Sequence, residues 1–318
     1  MIRVERIKAI ELDKRQAAAY AATLSQEEMK TRAEKVKDLG GGSFGRAFAV
    51  ELAGGKRIVV KFLRAADMLE KETFDLELLR RNCPVKMPRV LFLHKADERI
   101  PVDCYGMERI EGHPALYDLG FLLTSEKKRR AFAEIVTNAQ HAVHQCTSSL
   151  FGDTLSPQYE TWRECYRPFA EAVFQKAEEM LSAGKIAEKI FRAMRAAWEE
   201  FDVIFSERTE KACLIHGDLN VGNIMIDNCH RVTGFIDPLN CMYADREYDL
   251  FQFDNLTGKR FFLSETYRQK YGASKYFDQK LAFYGLWNEV FCYIKSGVLV
   301  NIIMNPLVKN MYRQIEKL

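Results

Sequence analysis

Three side chains stand at a spacing that suits one kind of chemistry. Asp218 lies in Ile215-His216-Gly217-Asp218-Leu219-Asn220-Val221-Gly222-Asn223, Asn223 follows it five positions later, and Asp237 comes at the end of a short β-like hairpin in Phe235-Ile236-Asp237-Pro238. Moving a phosphoryl group from a nucleotide to a hydroxyl needs one carboxylate to orient the hydroxyl and accept its proton. It also needs an amide oxygen and a second carboxylate to hold Mg²⁺ against the phosphates. Asp218 fits the first role, and Asn223 and Asp237 fit the second. A turn rich in Asp and Asn that caps a helix would account for any one of these residues, but not for the set.

Further upstream, Gly40-Gly41-Gly42-Ser43-Phe44-Gly45 lies between two predicted strands. Without Cβ atoms in the way, its backbone N–H groups can approach phosphate oxygens, although the same glycines would also make a plain hairpin turn. Val59-Val60-Lys61-Phe62 sets a lysine in an apolar strand, where an unpaired ammonium is costly, so Lys61 calls for anionic partners.

The elements that must position these groups follow from composition and periodicity. Residues 1 to about 36 read as a helical lead-in, with Ser25 and Glu28 spaced as a capping box. The stretch 36–63 reads as a hairpin, 66–81 as a helix ended by Asn82-Cys83-Pro84, and 89–94 and 102–109 as two more strands. After Gly112 long amphipathic patterns take over at 126–145, 160–182 and 186–205, and a β-like stretch at 213–237 interrupts them, with Asp227-Asn228 as its turn. The change of texture at 108–112 divides the chain into segments 1–109 and 110–318.

Composition sets the class. With 47% hydrophobic and 29% charged residues the chain is globular, and a net charge of +3 without a basic stripe excludes nucleic acid as the default partner. The eight cysteines include no C-x-x-C pair and read as reduced thiols. The charged N-terminus lacks the apolar core of a signal peptide, and no run of eighteen apolar residues exists, so a cytoplasmic protein without a membrane partner is expected.

HGDLNVGN with IDP resembles the aminoglycoside phosphotransferase and choline kinase superfamily, relatives of the protein kinases. The resemblance implies an α+β, bilobal protein-kinase-like fold, with a small N-lobe of antiparallel sheet and helix and a larger, mainly helical C-lobe. It implies ATP between the lobes with Mg²⁺ on Asn223 and Asp237, under a loop contributed by Gly40, Gly41, Gly42, Ser43 and Gly45. Lys61 would hold the phosphates, paired to Glu72 or, as substitutes, Glu70 or Glu77. Backbone groups of Glu108 and Ile110 would meet adenine. His216 would be structural, and the remaining histidines, among them His94, His113, His141 and His144, packing or surface residues.

Asp245-Arg246-Glu247-Tyr248-Asp249-Leu250 is similar to the fructosamine (ketosamine) kinase branch, in which the last Asp braces the catalytic loop, here Asp249. The stretch 277–288, and Phe151-Gly152 with Trp162, resemble the same branch. That branch carries Trp after HGDL, where Asn220 stands here. Trp162, Asn220 and Trp287 are expected at the acceptor pocket, with core aromatics and a loop cap as the plain alternative. The expected activity is ATP-dependent phosphorylation of a small-molecule hydroxyl on a ketosamine-like sugar amine. The alternatives are an aminoglycoside phosphotransferase, a choline-type kinase or a non-catalytic pseudokinase. Eleven residues between Asp237 and Asp249 leave no room for a peptide platform, and ten Lys and Arg against four Asp and Glu in 258–318 disfavour a polycationic drug.

Overall fold

The computed structural model describes residues 4–6, 12–41, 45–65 and 67–318. Helix α1 (Lys14–Met29) begins where the Asp13 carboxylate accepts from the backbone N–H groups of Arg15 at 2.8 Å and Gln16 at 3.0 Å. It ends at Lys30, whose φ of 52° is left-handed. The capping box expected at Ser25 and Glu28 is not used, because Ser25 is buried inside α1, on the stretch that packs Ala17, Ala21 and Leu24 against the N-terminal sheet. The helical lead-in therefore stops at Met29, and a strand replaces its expected end.

That strand, β1 (Ala33–Gly41), pairs with β2 (Gly45–Leu52), and β2 pairs with β3 (Arg57–Leu63). Helix α2 (Leu69–Asn82) follows, then β4 (Val90–His94) and β5 (Cys104–Glu108), giving an antiparallel sheet in the order β1-β2-β3-β5-β4. Helix α2 starts later than its periodicity predicts because Asp67 has a φ of 62°, a left-handed conformation that an α-helix cannot contain.

The rest of the chain is mainly helical, as expected, but holds more strands than its pattern reveals. After β6 (His113–Pro114), α3 (Leu119–Leu122) and α4 (Glu126–His144) come β7 (Thr147–Ser148), β8 (Phe151–Asp153) and β9 (Pro157–Tyr159). Helix α5 (Trp162–Ser182) opens with a capping box in which Glu164 N–H donates to Thr161 Oγ1 at 3.2 Å and Thr161 N–H to Glu164 Oε2 at 3.1 Å. Then come α6 (Glu188–Glu199), α7 (Phe201–Ile204), β10 (Ala212–Ile215), β11 (Ile224–Ile226), β12 (Val232–Phe235) and β13 (Met242–Ala244). The chain finishes with α8 (Arg246–Leu250), α9 (Leu263–Tyr271), α10 (Phe277–Ser296) and α11 (Asn301–Ile315).

Strands β7, β10, β13, β8 and β9 form a second five-stranded sheet, and β12, β11 and β6 a third of three strands. One apolar core fills the space among α5, α6, α10 and α11. A second spans both halves of the chain: Leu63, Leu76 and Tyr105 cluster with Leu214, Leu219 and Phe235, directly beneath the residues singled out for chemistry. Among the described residues no helix is long and apolar enough to cross a membrane.

Candidate active site

Strand β3 is buried except at its first residue, and Lys61 sits in it with its ammonium turned toward carboxylates. Lys61 Nζ pairs with Glu72 Oε1 and lies 2.6 Å from Asp237 Oδ1, and the Tyr105 hydroxyl donates to the same Glu72 oxygen at 2.7 Å. Burial works against the Lys61 charge, yet Tyr105, Asp237 and Glu72 around it more than offset this, and its pKa lies well above the ordinary lysine value. The structure thus pairs Lys61 with Glu72. Glu77 instead holds Arg80 and Arg81.

Gly45 is a glycine because a Cβ there would stand 2.9 Å from the Phe62 carbonyl and 3.0 Å from Lys61 Cε. Gly40 has a φ of 98°, and Gly41 packs against the Gly45 carbonyl. Gly42 and Ser43, expected in the same phosphate loop, lie outside the described residues. At the end of β5 the Glu108 N–H donates to the Arg89 carbonyl at 2.9 Å, and the Glu108 carboxylate accepts from the Arg89 guanidinium at 3.2 Å, while Ile110 is buried.

The segment between β10 and β11 carries Asp218. Asp249, fully buried on α8, accepts the backbone N–H of His216 at 3.0 Å and of Gly217 at 2.8 Å, so it braces the turn just before Asp218. Gly217 has a φ of 79°, and a Cβ on it would stand 2.0 Å from the Leu239 carbonyl, so no other residue fits this crossing. His216 is buried, which holds its pKa below the usual value, and its Nδ1 faces the Asp218 N–H at 3.4 Å.

Asp218 receives Asn220 Nδ2 on one carboxylate oxygen at 2.9 Å and Asn223 Nδ2 on the other at 3.0 Å. Burial and the charge of Asp237 push its pKa up to about 7, against the lowering effect of those two amides. A carboxylate poised there can gain a proton near neutrality, which is what a general base requires.

Asn223 and Asp237 face each other across the open end of the β11–β12 hairpin, where the Ile236 N–H donates to the Asn223 carbonyl at 3.0 Å. Asp237 takes a left-handed φ of 56°, and its side chain is 53% exposed. Burial raises its pKa, but the Lys61 charge more than offsets this and holds it below the usual value. The Asn223 amide spends its N–H₂ on Asp218, and among the described residues its oxygen has no partner and Asp237 engages Lys61 through one oxygen. Those two oxygens suit Mg²⁺, which takes one or two protein ligands and completes its shell with phosphates and water.

The three residues expected at an acceptor pocket separate. Asn220 ties down Asp218 and accepts the Gly222 N–H at 2.8 Å, as a loop cap does. Trp287 stands apart from the cavity that Trp162 borders: it is fully buried among the C-terminal helices, with Nε1 donating to the Ala170 carbonyl at 2.8 Å. Trp162 does border a cavity of about 310 Å³, together with Tyr159, Tyr166, Leu239, Met68 just ahead of α2 and Asp75 on α2. Sequence reasoning missed Gln140 and His144, which stand behind Asp249. Gln140 Nε2 donates to Asp249 Oδ2, and His144 Nε2 lies 3.2 Å from the same oxygen. Their signal was available, since both are polar residues on the buried face of amphipathic α4.

The family model described as phosphotransferase enzyme family matches residues 35–275. Curated protein sequences gave no match. Among solved structures, a protein designated a fructosamine-3-kinase from Thermobifida fusca YX-ER1 aligns at a TM-score of 0.65 and 20% identity, covering 93% of this chain and 98% of that one. Aminoglycoside phosphotransferase APH(4)-Ia aligns at a TM-score of 0.67 and 19% identity, covering 94% and 98%. A thermostable mutant of the latter, in ternary complex with ADP and hygromycin B, aligns at 0.68 and 17%, covering 93% and 97%. These likenesses agree with the bilobal kinase-like fold. The chain belongs to the phosphotransferase enzyme family.

Proposed function

We propose that the protein is an ATP-dependent kinase that phosphorylates a hydroxyl of a sugar amine of the ketosamine kind. The observation that carries the reading is the continuous set of contacts from Glu72 through Lys61 to Asp237 and, across the hairpin, from Asn223 to Asp218. In this reading Mg²⁺ held by Asn223 and Asp237 supplies charge neutralisation at the phosphates. Lys61, kept cationic by its carboxylate neighbours, orients the nucleotide. The Asp218 carboxylate orients the acceptor hydroxyl and takes its proton while that oxygen bonds to the γ-phosphorus and the bond from the γ-phosphorus to the β–γ bridging oxygen breaks, releasing ADP. Asn220 and Asn223 fix both carboxylate oxygens, so the base needs no rearrangement before it acts.

The ketosamine choice rests on Asp245-Arg246-Glu247-Tyr248-Asp249-Leu250 and on the cavity beside α2. Its aromatic walls, Tyr159, Trp162 and Tyr166, suit a sugar face or an apolar amine substituent, and Asp67 and Asp153 at its edge suit a cation. The same acidity favours an aminoglycoside as the second reading. A phosphoryl-acceptor screen with mass detection separates them, run over glycated amines, aminoglycosides, choline and homoserine for the native protein and Asp218→Ala. A ketosamine phosphate formed only by the native protein is expected. Absence of any Asp218-dependent product across the panel overturns the reading.

A further inference from the structure

Helix α2 presents Glu72 to Lys61, and the residue before it has a different task. Lys71 Nζ pairs with Asp75 one turn along α2 and donates to Thr154 Oγ1 at 3.0 Å and to the Cys241 carbonyl at 2.8 Å. The Thr154 hydroxyl in turn donates to the second Asp75 oxygen. Thr154 lies in the turn between β8 and β9, and Cys241 stands just ahead of β13, four residues beyond Asp237. Asp75, Thr154 and Cys241 are all buried.

We infer that Lys71, Asp75 and Thr154 form a clamp that fixes the rotation of α2 on the C-terminal half, so that Glu72 stays engaged with Lys61 without any modification or partner. The apolar contacts of Leu76 and Leu79 hold α2 down, but burial is non-directional and sets no rotation. Hydrogen bonds from one helical turn to two separate loops do. If α2 turned, Lys61 would lose Glu72 and be left to Asp237, the proposed Mg²⁺ ligand, and nucleotide binding would weaken. Lys71, Asp75 and Thr154 are positioning residues, acting through Glu72.

The inference rests on the kinase reading, and calorimetric binding of Mg²⁺-AMP-PNP can test the two separately. Lys71→Met is expected to weaken binding about tenfold, the equivalent of one hydrogen bond to a charged group. Lys71→Arg should recover part of that loss, Thr154→Val should follow Lys71→Met, and Thr154→Ser should resemble the native protein. Because the clamp works through Glu72, adding Lys71→Met to Glu72→Gln should weaken binding no further than Glu72→Gln alone. If the two losses multiply, or if Lys71→Met and Thr154→Val lower only the melting temperature, the clamp is overturned. If Lys61→Met and Glu72→Gln also leave binding unchanged, the kinase reading falls and takes the clamp with it.

Discussion

Asp218→Asn should abolish phosphoryl transfer and yet stabilise the fold at alkaline pH. The Asp218 carboxyl is carried from 3.8 to about 7 by burial and by Asp237. The folded state therefore holds this proton more tightly than the unfolded chain. The resulting penalty is absent below about pH 4, grows between about pH 4 and 7, and is complete above, at about 4 kcal/mol. An uncharged amide escapes it. The amide has one acceptor oxygen where the carboxylate has two, so one of the Asn220 and Asn223 donors loses its partner, at about 1–2 kcal/mol. The net gain is about 2–3 kcal/mol near pH 8. With an unfolding entropy of about 2.1 cal/mol/K per residue over 318 residues, or about 0.7 kcal/mol/K, the melting temperature should rise by about 3–4 °C. Thermal melts of both proteins without nucleotide, near pH 8 and near pH 4.5, should show this gap at the higher pH and its disappearance at the lower. A gap equal at both pH values, or a variant less stable at pH 8, would refute the claim that the site holds Asp218 against its preferred ionisation.

Asp237→Ala should eliminate Mg²⁺-dependent transfer, measured by product formation over a metal titration, and should bring the Asp218 titration down, because the charge that helps raise it is gone. Asp249→Ala strands the buried N–H groups of His216 and Gly217, and should lower stability by about 3–5 kcal/mol in urea denaturation. Trp287→Ala should cost about 3–5 kcal/mol through the cavity it leaves, while the KM for the phosphoryl acceptor stays within about twofold of native in steady-state assays; an altered acceptor KM would return Trp287 to the pocket.

What could be read from the sequence was whatever the chemistry itself confines to short spacing. Asp218, Asn223 and Asp237 are fixed by one loop and one hairpin, so their order along the chain nearly dictates their arrangement, and Lys61 betrays itself as a charge in an apolar strand. Glu72 was reachable only through resemblance, because a helical glutamate has no local mark of its partner, and Glu70 and Glu77 lie within a turn or two of it. The second sheet stayed hidden because β7, β8, β9 and β13 are two or three residues long, too short for alternation to register. Trp162 and Trp287 show the same limit from the other side: both are buried tryptophans on long C-terminal helices, and only tertiary packing sends one to a cavity wall and the other into the core. The support behind Asp249 was half legible. Gln140 and His144 break the apolar face of α4, and a polar pair one turn apart on a buried face must find a partner, although nothing in the chain says that the partner lies 105 residues from His144. Polar residues that interrupt an otherwise apolar helix face are thus the sequence signal for groups that support a catalytic loop from behind, and in this chain they point to Asp249 as the hub through which α4 reaches Asp218.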